Sequence, residues 1–195
     1  LPSRTDSQPL IRYRYGLRAD ERLEPSPGNS LAISRDGARI VYVGPGADGN
    51  QLWIRERTQL NSRPLPGTTW ARQPFFSPQG SSVGFISEDN ALQVISLDDD
   101  RILTLVEAGE VRPYGASWGD DEWVYFDAQG PDGLARVRPT GGTVPETVYT
   151  GALAEDELAH AWPDPLPGGE GVILTVARNH ENDLVVAMDL GTGQY

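Results

Sequence analysis

The sequence predicts an all-β chain assembled from repeated four-stranded units, a β-propeller or part of one, on three observations. Four stretches line up: SLAISRDGARIVYVG (30–44), QPFFSPQGSSVGFIS (73–87), YGASWGDDEWVYFDA (114–128) and AWPDPLPGGEGVILTV (161–176). Gly37 and Gly80 lie 43 positions apart, Ser77 and Gly119 lie 42 apart, and Gly80 and Gly169 lie 89 apart, which is two units. A period near 43 residues is that of a propeller blade. The apolar runs are short and rich in β-branched and aromatic residues, as strands require. In each unit a polar turn, usually holding a glycine that supplies positive φ, joins the first two runs.

Within a unit the strands follow in order. The first is the apolar run before the turn, and the second is RIVYV (39–43), SVGFI (82–86), WVYFD (123–127) or GVILTV (171–176). The third is QLWIR (51–55), LQVIS (92–96), LARVR (134–138) or LVVAM (184–188). A fourth reads as RILTLV (101–106), ETVYT (146–150) and, faintly, SRPLP (62–66). Blade boundaries fall near 22–67, 68–110, 111–153 and 154–195. Only AEDELAHAW (154–162) carries enough helix formers to suggest a helical turn.

The segment before the blades, PLIRYRYGLR (9–18), alternates Ile11, Tyr13, Tyr15 and Leu17 against Arg12 and Arg14. This predicts an extended N-terminal unit over 1–21, with a strand at 10–17. Its expected partner is 184–189 of the same chain, closing a ring, or the equivalent edge of a second copy. The latter makes a homodimer through exposed edge strands.

LAISRDG, PFFSPQG and PLPGG, each followed by an apolar strand, resemble the TolB-like, WD-type propeller repeat with its S-P-D-G turn. The resemblance covers residues 22–195. Arg35 and Gln79 depart from the turn's usual Pro and Asp, and the third unit has GDDE, without the turn glycine. The order of WIRERTQLNSRPLPGT, FFSPQG, GASWG and AHAWPDPLPGG is similar to propeller regions that lie outside the membrane in bacterial receptor-like serine/threonine kinases. This resemblance implies a periplasmic or otherwise extracytoplasmic envelope module that binds a protein or ligand.

Composition narrows the chemistry. The 195 residues contain no Cys, and all 16 basic residues are Arg. Thiol catalysis, a Walker lysine and a Schiff-base lysine are therefore excluded from this segment. A net charge of −12 disfavours nucleic acid as a partner. No apolar run approaches the roughly 20 residues of a spanning helix, so no direct membrane insertion is expected. His160 and His180 are the only histidines, too few for a histidine-rich zinc site. The run Asp98–Asp100 reads as a solvated turn, with a hard cation as the other reading. No cofactor and no metal are expected.

Two motifs are decoys. GASWG (115–119) spells a nucleophile elbow, but that device needs a helix after the serine, and here a turn and strand follow, so Ser117 is read as scaffold. GPGADG (44–49) spells a dinucleotide fingerprint but precedes the strand QLWIR rather than a helix N-terminus. What remains are the segments leading into the first strands, which carry Trp70 and Arg72, Arg112 and Tyr114, and His160 and Trp162. These residue types are enriched at binding hot spots, and propeller entry segments cluster at one channel mouth. The other reading is that they pack between blades. The expected function is non-catalytic binding or sensing; the alternatives are the propeller of a prolyl oligopeptidase-type peptidase and a purely structural or assembly propeller.

Overall fold

The repeat is realised as four successive antiparallel meanders in the computed structural model, which describes residues 12, 14–109, 111–128, 133–149, 157–179 and 182–194, and of 111–114 and 149 the backbone. The first meander runs β1 (Leu31–Ile33), β2 (Arg39–Pro45), β3 (Asn50–Glu56), β4 (Arg63–Pro64). The second runs β5 (Arg72–Phe76), β6 (Ser82–Ile86), β7 (Leu92–Ser96), β8 (Ile102–Val106). The third runs β9 (Val111–Trp118), β10 (Val124–Ala128), β11 (Leu134–Val137), β12 (Glu146–Tyr149). The fourth has three strands among the described residues: β13 (Glu157–Pro165), β14 (Gly171–Arg178), β15 (Leu184–Asp189).

One turn, used four times, sets the register of each blade. The amide of Ser34 donates to the carbonyl of Arg39, Ser77 to Ser82, Gly119 to Trp123 and Leu166 to Gly171. The residue three positions on donates back to the first carbonyl in every case. That residue takes positive φ: Gly37 at 66°, Gly80 at 72°, Gly169 at 72° and, where the third turn has no glycine at this position, Glu122 at 65°. In the first blade the Ser34 hydroxyl donates to Asp36 at 2.6 Å and accepts from the Arg39 amide at 2.9 Å. Ser87, Asp89 and Ala91 repeat this arrangement at the next turn of the second blade.

Strand alternation then sorts side chains to the two faces of each blade. In β6, Val83 and Phe85 pack with Val41, Val43, Leu52 and Ile54 of the first blade. Ile86 turns the other way, with Leu92 and Val94, against Val124, Phe126 and Val137 of the third. Leu134 joins Val172, Leu174, Val176 and Met188 between the third and fourth. Among the described residues the core is thus three apolar seams, one between each pair of neighbouring blades. The two outward faces differ: on the fourth blade Val185 is 74% exposed, whereas on the first Tyr42 is buried and its hydroxyl donates to the Glu21 carbonyl at 2.8 Å.

Two expectations are corrected. The helical turn at 154–162 is instead strand from Glu157 onward, with His160 opposite Val176 and Ala161 opposite Thr175 in the β13–β14 ladder; pairing with an apolar neighbour overrides local helix propensity. Residues 154–156 lie outside the described residues. Of the strand expected at 10–17, residues 10, 11 and 13 lie outside the described residues, and the rest is in no sheet. Gly16 accepts from Arg55 Nη1 at 2.9 Å, the Arg55 guanidinium sits 5.3 Å from the Tyr15 ring centroid, and Leu17 lines a small apolar hollow with Leu31, Ile40 and Tyr42. Within one chain, the described part of this segment lies against the first blade and not at the edge of β15.

Candidate functional site

The innermost strands β1, β5, β9 and β13 follow one another around a concave groove. One end is a cavity of about 330 Å3 to which all four blades contribute: Asn29 and Ala32, Gln73 and Phe75, Gly115 and Ser117, Trp162 and Asp164. A second cavity, also about 330 Å3, shares Ala32, Phe75 and Ser117 with the first and continues to the turns holding Arg35, Asp120 and Pro167. Arg35 and Asp120 form an ion pair there between the first and third blades.

The upper end is shaped by bulges. The β5–β6 register shifts between Arg72 and Phe75, and the β13–β14 register shifts between Ala161 and Asp164. A residue with positive φ sits in each bulge, Gln73 at 52° and Trp162 at 51°. Both cover a glycine of the preceding blade. A Cβ at Gly28 would lie 2.5 Å from Gln73 Nε2, and one at Gly115 would lie 2.9 Å from Trp162 Cδ1. This accounts for the first glycine of GASWG: Gly115, at φ 138°, is a seat for an indole. Ser117 stands inside β9, and its hydroxyl donates to Asp164 Oδ1 at 3.2 Å. The elbow geometry is absent there, because the strand runs on to Trp118 and the turn that follows leads into β10. The acidic run is a turn in which two of the three carboxylates are engaged: Asp99 accepts from the Arg101 amide and Asp100 pairs with Arg63.

The six residues singled out by sequence are placed unequally. Trp162 lines the groove and is 43% exposed. Trp70 is also exposed, but its ring covers Gly49 in the hairpin loop of the first blade. Arg72 is half-buried. Its guanidinium donates to the Ser87 carbonyl at 2.8 Å and to Asn90, and burial holds its pKa below the usual arginine value. Arg72 thus ties β5 to the β6–β7 turn of its own blade. His160 is buried rather than presented at a mouth, with Nε2 3.9 Å from Glu157 Oε2. The side chains of Arg112 and Tyr114 lie outside what is described; both residues belong to β9.

Sequence reasoning looked at the entry segments and missed the inner strands themselves. Asp164 within the PDP of β13 and Gln73 before the PFF of β5 were the available signals, polar residues at positions where a central strand is ordinarily apolar.

No family model matches the chain, and no curated protein matches it in sequence. Solved structures do match. TolB from Acinetobacter baumannii superposes with a TM-score of 0.68 at 16% identity over 85% of this chain and 41% of that one. A protein from Agrobacterium tumefaciens assigned as TolB gives 0.71 at 20% identity over 85% of this chain and 62% of that one. The β-propeller domain of Cps50 (Swd1) from Myceliophthora thermophila gives 0.63 at 13% identity, over 87% of this chain and 55% of that one. At these identities the likeness is one of fold: the chain folds as a run of β-propeller blades, as these TolB and WD-type structures do. It spans between 41% and 62% of the length of these structures.

Proposed function

We propose that the chain is a non-catalytic binding module whose partner, a protein segment or peptide, lies in the concave groove. The observation that carries this reading is the pair of bulged residues at positive φ, Gln73 and Trp162, both lining the same cavity. Backbone held in a sparsely populated region costs on the order of 1–3 kcal/mol per residue, and such strain concentrates at ligand clamps. Ser117 supports the non-catalytic side of the reading, because its described hydrogen bond runs to a carboxylate from mid-strand. Among the described residues no helix is long and apolar enough to cross a membrane, which fits the envelope-exposed role the sequence resemblance implies.

The test is selection of binders from a displayed peptide library, followed by comparison of the wild type with Trp162→Asn. Asparagine tolerates positive φ, so the variant removes the indole and keeps the bulge. We expect selected peptides to lose at least about tenfold in affinity, since exposed interface aromatics are typical hot spots. Unchanged affinity removes the groove as the site, and labelling of Ser117 by a fluorophosphonate overturns the non-catalytic assignment.

The open edge of β15 supports self-association as part of the same proposal. Leu184 and Val185 are both exposed on a strand paired on one side only among the described residues, and such edges accept further strands. Val185→Lys should reduce any dimer seen by sedimentation velocity; a dimer of unchanged strength places the contact elsewhere.

A further inference from the structure

We infer that the Trp162–Asp164 end of the groove holds a cationic side chain, an arginine or lysine of an extended partner segment. The inference rests on the groove being a binding surface and adds the chemistry it selects. Among the described residues lining the upper cavity, Asp164 is the single charged side chain. It accepts one described hydrogen bond, from Ser117, and a carboxylate has about four acceptor positions. Among the described residues that line it, the cavity that its remaining capacity faces supplies no cation.

The neighbouring groups extend the same preference. The Trp162 ring borders the cavity two residues from the carboxylate, and the negative face of an indole attracts ammonium and guanidinium groups. Arg35, the cation at the other end of the groove, is already paired with Asp120. The protein's net charge of −12 raises the local concentration of cations around the whole surface. A bound metal ion is a poorer match, because a single carboxylate does not make a hard-cation site, and no cluster of three potential ligands occurs among the described residues.

Shape favours a peptide over a free amine. The two cavities share Ala32, Phe75 and Ser117 and so run end to end. The continuous trough is about as long as an inner strand of five residues, roughly 16 Å, which suits an extended segment with one side chain lowered at its upper end.

The experiment measures affinity by fluorescence anisotropy with capped, labelled pentapeptides of glycine and alanine bearing arginine, citrulline or glutamate at the centre. Citrulline matches arginine in size and lacks its charge. A partly exposed carboxylate and one aromatic face together give on the order of tenfold, so the arginine peptide should bind about tenfold more tightly than the citrulline one. Asp164→Asn should abolish that ratio. Ser117→Ala, which removes the hydroxyl and leaves the charge, should retain it, separating a loss of charge from a local disturbance of fold. Equal affinity for arginine and citrulline, a ratio that survives in Asp164→Asn, or preference for glutamate overturns the inference while leaving groove binding standing. If no peptide loses affinity in Trp162→Asn, the groove itself is wrong.

Discussion

Glu122 shows how a single residue records the repeat in its breach. At the equivalent turns of the other blades a glycine takes positive φ, whereas here a side chain does so at 65°. Left-handed backbone costs a non-glycine residue roughly 1 kcal/mol or more, so Glu122→Gly should stabilise the protein by about 0.5–1 kcal/mol in urea unfolding. The reciprocal change, Gly80→Ala, should cost about 1 kcal/mol although space is available, since a Cβ there meets its nearest neighbour, Ser34, at 3.6 Å. No gain from Glu122→Gly would mean that the turn has relaxed in some other way. Tyr125 gives a titration signature at the same scale. Burial first, and then its hydrogen bond to Asp121 at 2.7 Å, push its pKa from 10.0 up to about 12. A phenol whose pKa is raised by folding contributes stability that is present below pH 10.0 and lost as the pH rises through about 12. In Tyr125→Phe this alkaline loss should shrink, as read from the difference between the two unfolding curves over that window.

At the scale of elements, alternation made most strands readable. SVGFI became β6 because Val83 and Phe85 must face one seam and Ile86 the other. Gly84 between them is a poor strand former, and its reason lies across the sheet: a Cβ there would collide with the Phe75 ring of β5. Overpacking of this kind typically costs 1–3 kcal/mol, so Gly84→Ala should destabilise by about 2–3 kcal/mol, and adding Phe75→Leu should recover part of the loss. Full additivity of the two changes would contradict the contact. What sequence could not show was the N-terminal half of β13. Its residues Glu157, Leu158 and Ala159 favour helix locally, and only the ladder to β14 decides otherwise. The bulges were equally hidden, because a register shift depends on two strands at once, and they are what send Gln73 and Trp162 into the groove. The inner strands were found as scaffold, while their role as lining became visible only once four blades stood side by side.

For the whole molecule, three seams between four blades leave two outward faces, treated differently. Residues 15–24 lie against the first, with Tyr15 under Arg55 and the Glu24 amide donating to the Val43 carbonyl at 2.8 Å; the fourth blade leaves Ile173 and Val185 exposed. The period near 43 residues and the turn signature made this architecture legible from sequence, but curvature, and with it the concave groove, follows from how the blades pack. The five tryptophans report on separate parts of that geometry. Trp162 lines the upper groove and Trp118 the lower, where its ring meets Phe75 edge-on at 6.5 Å. Trp70 covers the first hairpin loop, Trp53 donates to the Pro45 carbonyl, and Trp123 is stacked by Arg136 and Arg138. The most direct measurement is therefore the proton–nitrogen correlation spectrum of the five indole N–H groups while a selected peptide is titrated in. If the concave groove is the binding surface, the Trp162 signal moves most, with Trp118 following for longer peptides and Trp53, Trp70 and Trp123 staying in place. Saturable movement of Trp70 or Trp123 with Trp162 unmoved would put the partner on the outer loops and contradict the account.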